Sequence, residues 1–168
     1  PVEARPPENW KKWKSNRGAQ LVYSNGTTIT HRNGFGVHFQ GTDGEVKVNR
    51  GRFAFNLNGK EISKFEKRGD GSLGSALQTA EKSFLKDSKI KLYKSNHHIR
   101  DFLSSIESRK KTITNEIVGG RSAICCHLMN QSYYNGEIIK WNPKTNELSD
   151  NTGNPEWLTR SYRGGWKV

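Results

Sequence analysis

The sequence predicts an α+β fold, in which an open, largely antiparallel β-sheet carries about three helices on one face. The first part of the chain holds short runs in which apolar and polar residues alternate, separated by turn dipeptides. The later part holds runs of apolar residues with helical spacing. Strands followed by helices are typical of helices packed on an antiparallel sheet, whereas alternating strands and helices would indicate a parallel sheet.

Turn dipeptides divide the strand-forming part of the chain at Asn25-Gly26, Asp43-Gly44 and Asn58-Gly59. Such pairs favour tight hairpins because the turn positions take positive φ, which Gly and Asn tolerate. The runs beside them are rich in β-branched and aromatic residues. The strands that we expect are 20–24, 27–31, 36–40, 45–49 and 52–57, with a short later strand at 137–141.

The strand at 36–40 provides the first candidate site residues. Because side chains alternate along a strand, Val37 and Phe39 share one face. His38 and Gln40 point to the other face, which an antiparallel sheet with helices on one side leaves open. We therefore predict that His38 and Gln40 face a substrate. The spacing assigns no carboxylate partner to His38, so no residue is predicted to be catalytic.

Three helices are expected after the glycine-rich break at Gly69–Gly74. The first follows the apolar spacing from residue 73 to residue 84, and Ser95 is expected to cap the second. The third is expected over residues 121–134, because Asn135-Gly136 tolerates the left-handed conformation of a helix stop. These helices need a sheet to cover their apolar faces. The face of the second helix is Ile99, Phe102, Leu103 and Ile106.

The length of 168 residues favours a single domain. Residues 1–18 hold three Pro and two Trp without periodicity, which suits an extended arm or the remnant of an interdomain linker. Residues 19–168 are expected to form the folded domain. Since the first residue is Pro1 rather than Met, we expect a processed chain or a piece of a longer protein whose true amino terminus is missing.

The formal net charge of +12 would attract polyanions such as nucleic acids. The basic residues are scattered, however, and no basic stripe is interleaved with the aromatic platforms of a single-strand binder. Zinc-finger, homeodomain and RNA-recognition signatures are also missing. We therefore interpret the charge as a solvated basic surface and do not expect nucleic acid as a partner. A basic patch confined to one face would favour such a partner.

Several classes of protein are not expected from the remaining signals. No apolar run approaches the roughly 18 residues of a membrane helix, so we expect a soluble protein, cytoplasmic or exported, without a membrane partner. The run Gly69–Gly74 is interpreted as lacking both the spacing and the context of a dinucleotide-binding loop, so no cofactor is expected to bind this chain alone. The pair His97-His98 lacks the i, i+4 spacing of a zinc helix, so no metal is expected. Cys125 and Cys126 are interpreted as small core residues.

Four groups of residues form an ordered set along the chain. The first two are Asn33–Gly51 (NGFGVHFQGTDGEVKVNRG) and Tyr93–Lys110 (YKSNHHIRDFLSSIESRK). The third is Glu116–Leu128 (EIVGGRSAICCHL), and the fourth joins Lys140–Pro143 (KWNP) with Leu158–Lys167 (LTRSYRGGWK). The first group resembles a sheet hairpin, and the second resembles the pattern S-x-x-H-x-x-N-F-L-x-x-I-x-S-R-K. The third resembles V-x-x-G-H-R-S-A-x-x-C-H-L. The fourth resembles W-D-P followed later by S-R-x-Y-R-x-P-W-K. Together they resemble a bacterial branch of the glucose-fructose oxidoreductase/inositol dehydrogenase family (Gfo/Idh/MocA). Its departures from this pattern include Asp101, Gly120, Asn142 and Gly165.

The resemblance implies the carboxy-terminal domain of an NAD- or NADP-dependent oxidoreductase. In that family an amino-terminal Rossmann domain binds the cofactor and ends in a Glu-Lys-Pro motif with the catalytic lysine, and neither is found in this chain. The parent enzyme would act on a sugar, polyol or related hydroxy compound. This domain would shape the substrate pocket and form a homo-oligomer through its sheet face. His97, Arg160 and Arg163 are further candidate substrate-facing residues, by their positions in the matched segments.

Two alternatives remain open. A stand-alone carbohydrate- or protein-binding module without catalysis would carry aromatic residues on an exposed strand face. A basic nucleic-acid-binding domain would show steep salt dependence of binding. Each candidate residue also has a structural interpretation: His97 can cap its helix, and Arg160 and Arg163 can anchor the tail of the chain.

Overall fold

The computed structural model describes residues 1–34, 36–161 and 164–165. Within them, antiparallel strands form one sheet of five strands and one of four, beside three α-helices. The predicted α+β class is therefore confirmed, and its strands are divided between two open sheets. The chain forms two compact units: the terminal unit, Pro1–Arg32 with Ser95–Val168, and the inserted unit, Asn33–Lys94.

Nine strands are present in the described residues. They are β1 (Glu3–Arg5), β2 (Gln20–Val22), β3 (Thr28–Thr30), β4 (Val37–Gln40), β5 (Gly44–Asn49), β6 (Arg52–Leu57), β7 (Lys60–Phe65), β8 (Ile139–Asn142) and β9 (Glu147–Ser149). The α-helices are α1 (Leu73–Ala80), α2 (His98–Ser108) and α3 (Glu116–Asn135). Short turns of other helix types lie at Arg68–Asp70, Glu81–Leu85 and Pro155–Leu158.

Strand β1 lies in the middle of the five-stranded sheet, whose order is β3-β2-β1-β8-β9 with every pair antiparallel. Ala4 of β1 is opposite Leu21 on one side and Ile139 on the other. Residues 1–18, which the sequence suggests are an extended arm, thus contribute a central strand to the terminal unit. The strand signal is weak because β1 has three residues and two prolines follow it, which cannot donate to a ladder.

Helix α3 packs on this sheet to form the core of the terminal unit. The helix begins after Asn115, whose side chain accepts hydrogen bonds from the backbone N–H groups of Ile117 and Val118. It ends at Gly136, which has the left-handed φ of 70°. The end agrees with the predicted stop, whereas the start lies a turn before residue 121, where two adjacent glycines weaken the helical signal. The buried core side chains are Ala4, Leu21, Leu128, Ile139 and Trp141.

The inserted unit is a four-stranded meander in the order β4-β5-β6-β7. The predicted turns at Asp43-Gly44 and Asn58-Gly59 join its strands, as the predicted turn at Asn25-Gly26 joins β2 to β3. Gly44 is required at its position, because a Cβ there would lie 2.3 Å from the carbonyl oxygen of Asn56. Turn chemistry is local, which explains why the sequence predicts these hairpins.

Helix α1 covers part of one face of the meander. The hydroxyl of Ser63 on β7 donates a 2.6 Å hydrogen bond to the carbonyl of Ala76 on α1. Phe55 on β6 meets Phe84, just after α1, edge to face with ring centroids 4.8 Å apart. The same face continues onto β5 and β4, where Val37, Phe39 and Val48 are exposed, Phe39 by 61%.

Helix α2 differs from the prediction in two respects. Its N-cap is His97 rather than Ser95, since the His97 Nδ1 accepts a 3.2 Å hydrogen bond from the backbone N–H of Arg100. Its apolar face is expected to be covered by a sheet. The four side chains of that face are instead between 46% and 56% exposed. They are Ile99, Phe102, Leu103 and Ile106.

Candidate functional site

A cavity of about 340 Å³ lies in the terminal unit, between α3 and the edge formed by β8 and β9. Aliphatic side chains of the core form its floor, and the indole rings of Trp141 and Trp157 form part of its wall. Its polar side chains are His127, Gln131, Thr159 and Arg160. An apolar cavity with a few convergent polar groups is the usual form of a small-molecule site.

The spacing of α3 explains how one helix supplies both kinds of side chain. Ile124, His127, Leu128 and Gln131 follow the i, i+3, i+4, i+7 pattern and so lie on one face. Leu128 is buried in the core, while the exposed His127 and half-buried Gln131 present polar atoms to the same cavity. On β8, Ile139 and Trp141 are two residues apart and therefore share the face that lines it.

Arg160 lies at the cavity because the short helix Pro155–Leu158 delivers the chain there. The Asn154 side chain caps this helix by accepting the N–H of Glu156 at 2.9 Å, and the N–H of Thr159 closes it on the Glu156 carbonyl. Arg160 thus lines the cavity, and its role as a substrate-facing residue stays a prediction. Arg163, the other arginine predicted from the tail, lies outside the described residues.

A second group of polar side chains lies on the open face of the inserted unit and is centred on Glu45. Its carboxylate contacts His38 Nε2 at 2.6 Å and Lys47 Nζ at 3.1 Å, and accepts a 2.8 Å hydrogen bond from the Asn56 amide. The hydrogen bonds from Asn56, Lys47 and His38, in that order, lower the pKa of Glu45 to about 2. Glu45 is therefore ionised at any physiological pH.

The Glu45 group adds to the prediction for β4 the carboxylate partner that the spacing does not assign to His38. His38 is opposite Lys47 and Gln40 is opposite Glu45, so the carboxylate lies diagonally across from the imidazole on the same face. Pairing the two predicted strands across their turn would have found this partner, which the spacing along one strand does not. Gln40 also borders a polar hollow of about 270 Å³ with Asp43 and Asn58 at the end of the hairpin.

The predicted site residues do not form one site. Arg160 belongs to the terminal unit, whereas His38 and Gln40 belong to the inserted unit. His97 has the structural role of N-cap, as its alternative interpretation predicts. In the same segment, the buried carboxylate of Asp101 accepts the N–H of Ile113 at 3.0 Å, which fixes the loop after α2.

The glycine-rich run has the spacing G-x-G-x-x-G at Gly69, Gly71 and Gly74, and it connects β7 to α1. The prediction that this run lacks the spacing of a dinucleotide-binding loop is therefore wrong, whereas the topology does lack the context of such a loop. Strand β7 is the edge of an antiparallel meander, and the described residues contain no parallel pair of strands. The Asp70 carboxylate also accepts the N–H groups of Glu66 and Lys67 in this turn, which places negative charge beside it. The run does not fit NAD or NADP.

The two cysteines differ in their surroundings. Cys125 packs against the core, and its Sγ lies 3.5 Å from the Tyr23 hydroxyl. Burial, together with this contact, raises the pKa of Tyr23 to about 12. Cys126 is exposed, so the predicted core position holds for Cys125 and is wrong for Cys126.

The described part of the chain holds neither a metal-ion cluster nor a membrane-spanning helix. No cluster of three or more His, Cys, Asp or Glu side chains able to hold a metal ion is found there. No helix in that part combines the length and apolar character needed to cross a membrane.

No family model, curated protein or solved structure matches the chain.

Proposed function

We propose that this chain is the carboxy-terminal substrate-pocket and oligomerisation domain of an NAD- or NADP-dependent oxidoreductase of the Gfo/Idh/MocA type. Its parent would act on a sugar, polyol or related hydroxy compound. One observation carries the proposal: three segments whose sequences resemble motifs of that family contribute residues to one cavity. His127 belongs to Glu116–Leu128, Trp141 to Lys140–Pro143, and Arg160 to Leu158–Lys167.

The side chains around this cavity suit a hydroxylated ring. The indole faces of Trp141 and Trp157 offer apolar surface to the C–H groups of such a ring. The Arg160 guanidinium donates in a fixed fork, and the His127 ring and the Gln131 amide can donate or accept. These groups would bind and orient the substrate and exclude water from it. The cofactor, held by a separate domain, would accept or supply the hydride.

The oligomerisation part of the proposal draws support from the exposed apolar side chains of the sheet. Val37, Phe39 and Val48 form a contiguous group on β4 and β5, because Val37 is directly opposite Val48 and Phe39 is two residues along. Exposed apolar groups of this kind favour pairing with another chain. A second copy of this chain would place an identical surface against it about a two-fold axis.

The substrate part is tested by titrating the full chain with a panel of sugars, polyols and sugar acids in a calorimeter. We expect at least one to bind, and we expect Arg160→Ala to weaken that binding by about tenfold or more, since a charge-assisted hydrogen bond is lost. Lys144→Ala is the matched control, because Lys144 is an exposed cation away from the cavity. Binding that is absent, or equally sensitive to both changes, would contradict the proposal.

A second candidate function is a protein-binding module without catalysis. The exposed Phe39, an aromatic ring on an open strand face, favours it, as does the half-exposed apolar face of α2. This alternative predicts no binding of any sugar or polyol in the same titration. The calorimetric panel therefore separates the two functions.

A further inference from the structure

Two aromatic rings that are distant in sequence form an exposed pair on the terminal unit. Trp13, in the loop before β2, and Tyr134, near the end of α3, have ring centroids 5.9 Å apart and an interplanar angle of 42°. Trp13 is 76% exposed and Tyr134 is 50% exposed. Because the two residues are 121 positions apart, neither belongs to a sequence stripe that would reveal the pair.

The loop that carries Trp13 is held in place by its neighbours. Trp10 points inward, and its indole N–H donates a 2.7 Å hydrogen bond to the carbonyl of Tyr133. The Trp10 ring lies against Gly136, where an added Cβ would approach it to 2.6 Å. The Lys11 N–H donates to the Ser15 hydroxyl at 2.7 Å and closes the turn.

The backbone of Trp13 is also unusual. It has a φ of 61°, a left-handed conformation that is costly for a bulky side chain. The turn closed on Ser15 and the anchor at Trp10 keep this conformation, and it presents the indole to solvent. Strained conformations of this kind concentrate at binding sites.

Charge is concentrated around the pair. Residues 8–17 carry four cationic side chains and one carboxylate, Glu8. Lys11, Lys12 and Lys14 are exposed, and none of them forms an ion pair with a described residue. Three exposed lysines without such an ion pair therefore flank Trp13 in the sequence. These lysines form a local cluster of positive charge in the loop that carries Trp13.

We infer that Trp13, Tyr134 and the three lysines bind single-stranded nucleic acid without sequence preference. A base can stack on the exposed indole, and the ammonium groups can pair with the adjoining phosphates. The groups concentrated here are ammonium groups, whose charge matches phosphates rather than an uncharged ligand. This inference is independent of the proposed function, because the residues of the cavity take no part in it.

The test is the fluorescence anisotropy of a labelled oligothymidine of about 15 nucleotides, titrated with the full chain. Trp13→Ala is expected to weaken binding by roughly five- to a hundredfold, because stacking is lost, and Trp13→Phe is expected to recover part of it. Replacing Lys11, Lys12 and Lys14 by Gln is expected to reduce the slope of log affinity against log salt by about 2. Thermal unfolding of each variant checks that the fold is kept.

The matched control replaces three exposed lysines of the inserted unit, Lys60, Lys82 and Lys86, by Gln. It makes the same change of net charge and is expected to leave the affinity and the salt slope nearly unchanged. An equal loss in both triple variants would overturn the inference, since binding would then follow net charge alone. Tighter binding of a sulfated polysaccharide than of the oligonucleotide, with no effect of Trp13→Ala on either, would also overturn it.

Discussion

Glu45 shows how a single exposed side chain acquires a defined environment from its neighbours. Three hydrogen-bonding partners on its own and the two adjacent strands converge on one carboxylate, and they stabilise its ionised form. Each partner is available because alternation puts it on the same face of the meander. The folded state therefore binds a proton at Glu45 less readily than the unfolded chain does.

This predicts how the stability of the protein depends on pH. The pKa of Glu45 is about 2 in the folded state and 4.5 in its ordinary state, so the stabilisation is complete above pH 4.5 and is lost as the pH falls towards 2. At neutral pH we expect the Glu45→Gln variant to be less stable in urea denaturation than the unsubstituted protein. The difference should shrink across that acidic range. A difference that does not change with pH would mean that the carboxylate charge has no part in it.

At the scale of the elements, the terminal unit depends on the contact between α3 and the sheet. Ile139 on β8 is fully buried there, whereas its neighbour Ile138 is 50% exposed. Both side chains lose the same atoms on truncation to alanine, so the pair isolates the effect of burial.

We expect Ile139→Ala to lower the free energy of unfolding by about 2–5 kcal/mol, because it leaves a cavity in the core. The control, Ile138→Ala, should lower it by less than about 1 kcal/mol. The measurement is urea denaturation of both variants. Similar losses in the two would show that β8 does not bury the side chain that the structure places inside.

The predictability of each element follows from how local its cause is. The hairpins were predicted because their turn residues lie beside the strands that they join. Strand β1 was missed because three residues carry little pattern, and its place between β2 and β8 depends on distant partners. The cap of α2 was placed at Ser95, although the imidazole of His97 takes that position. Capping depends on which side chain reaches the first free N–H groups of the helix. The spacing of apolar residues alone locates the capping residue only to within about one turn.

At the scale of the whole molecule, the sites depend on residues that meet only in the folded chain. The sequence predicted Arg160 through a resemblance, but its cavity partners Gln131 and Trp157 carry no motif of their own. His38 was predicted from alternation, and its partner Glu45 required the register of two strands. The Trp13 and Tyr134 pair joins two distant parts of the chain. Juxtapositions of this kind follow from tertiary packing, which local patterns do not specify.

The large apolar side chains left exposed on both units are the main feature that a solitary chain does not explain. They include Phe39 on β4 and Phe102 on α2. In the function that we propose, this chain works as part of an assembly that covers such surfaces.

The most direct test of that claim is the solution mass of the full chain, measured by light scattering at low salt and at about 1 M salt, where charge interactions are screened. The chain has a mass of 19.1 kDa. We predict a dimer or larger assembly that persists at high salt, because apolar contacts hold it together. A monomer at both salt concentrations, over the whole range of protein concentration, would contradict the account.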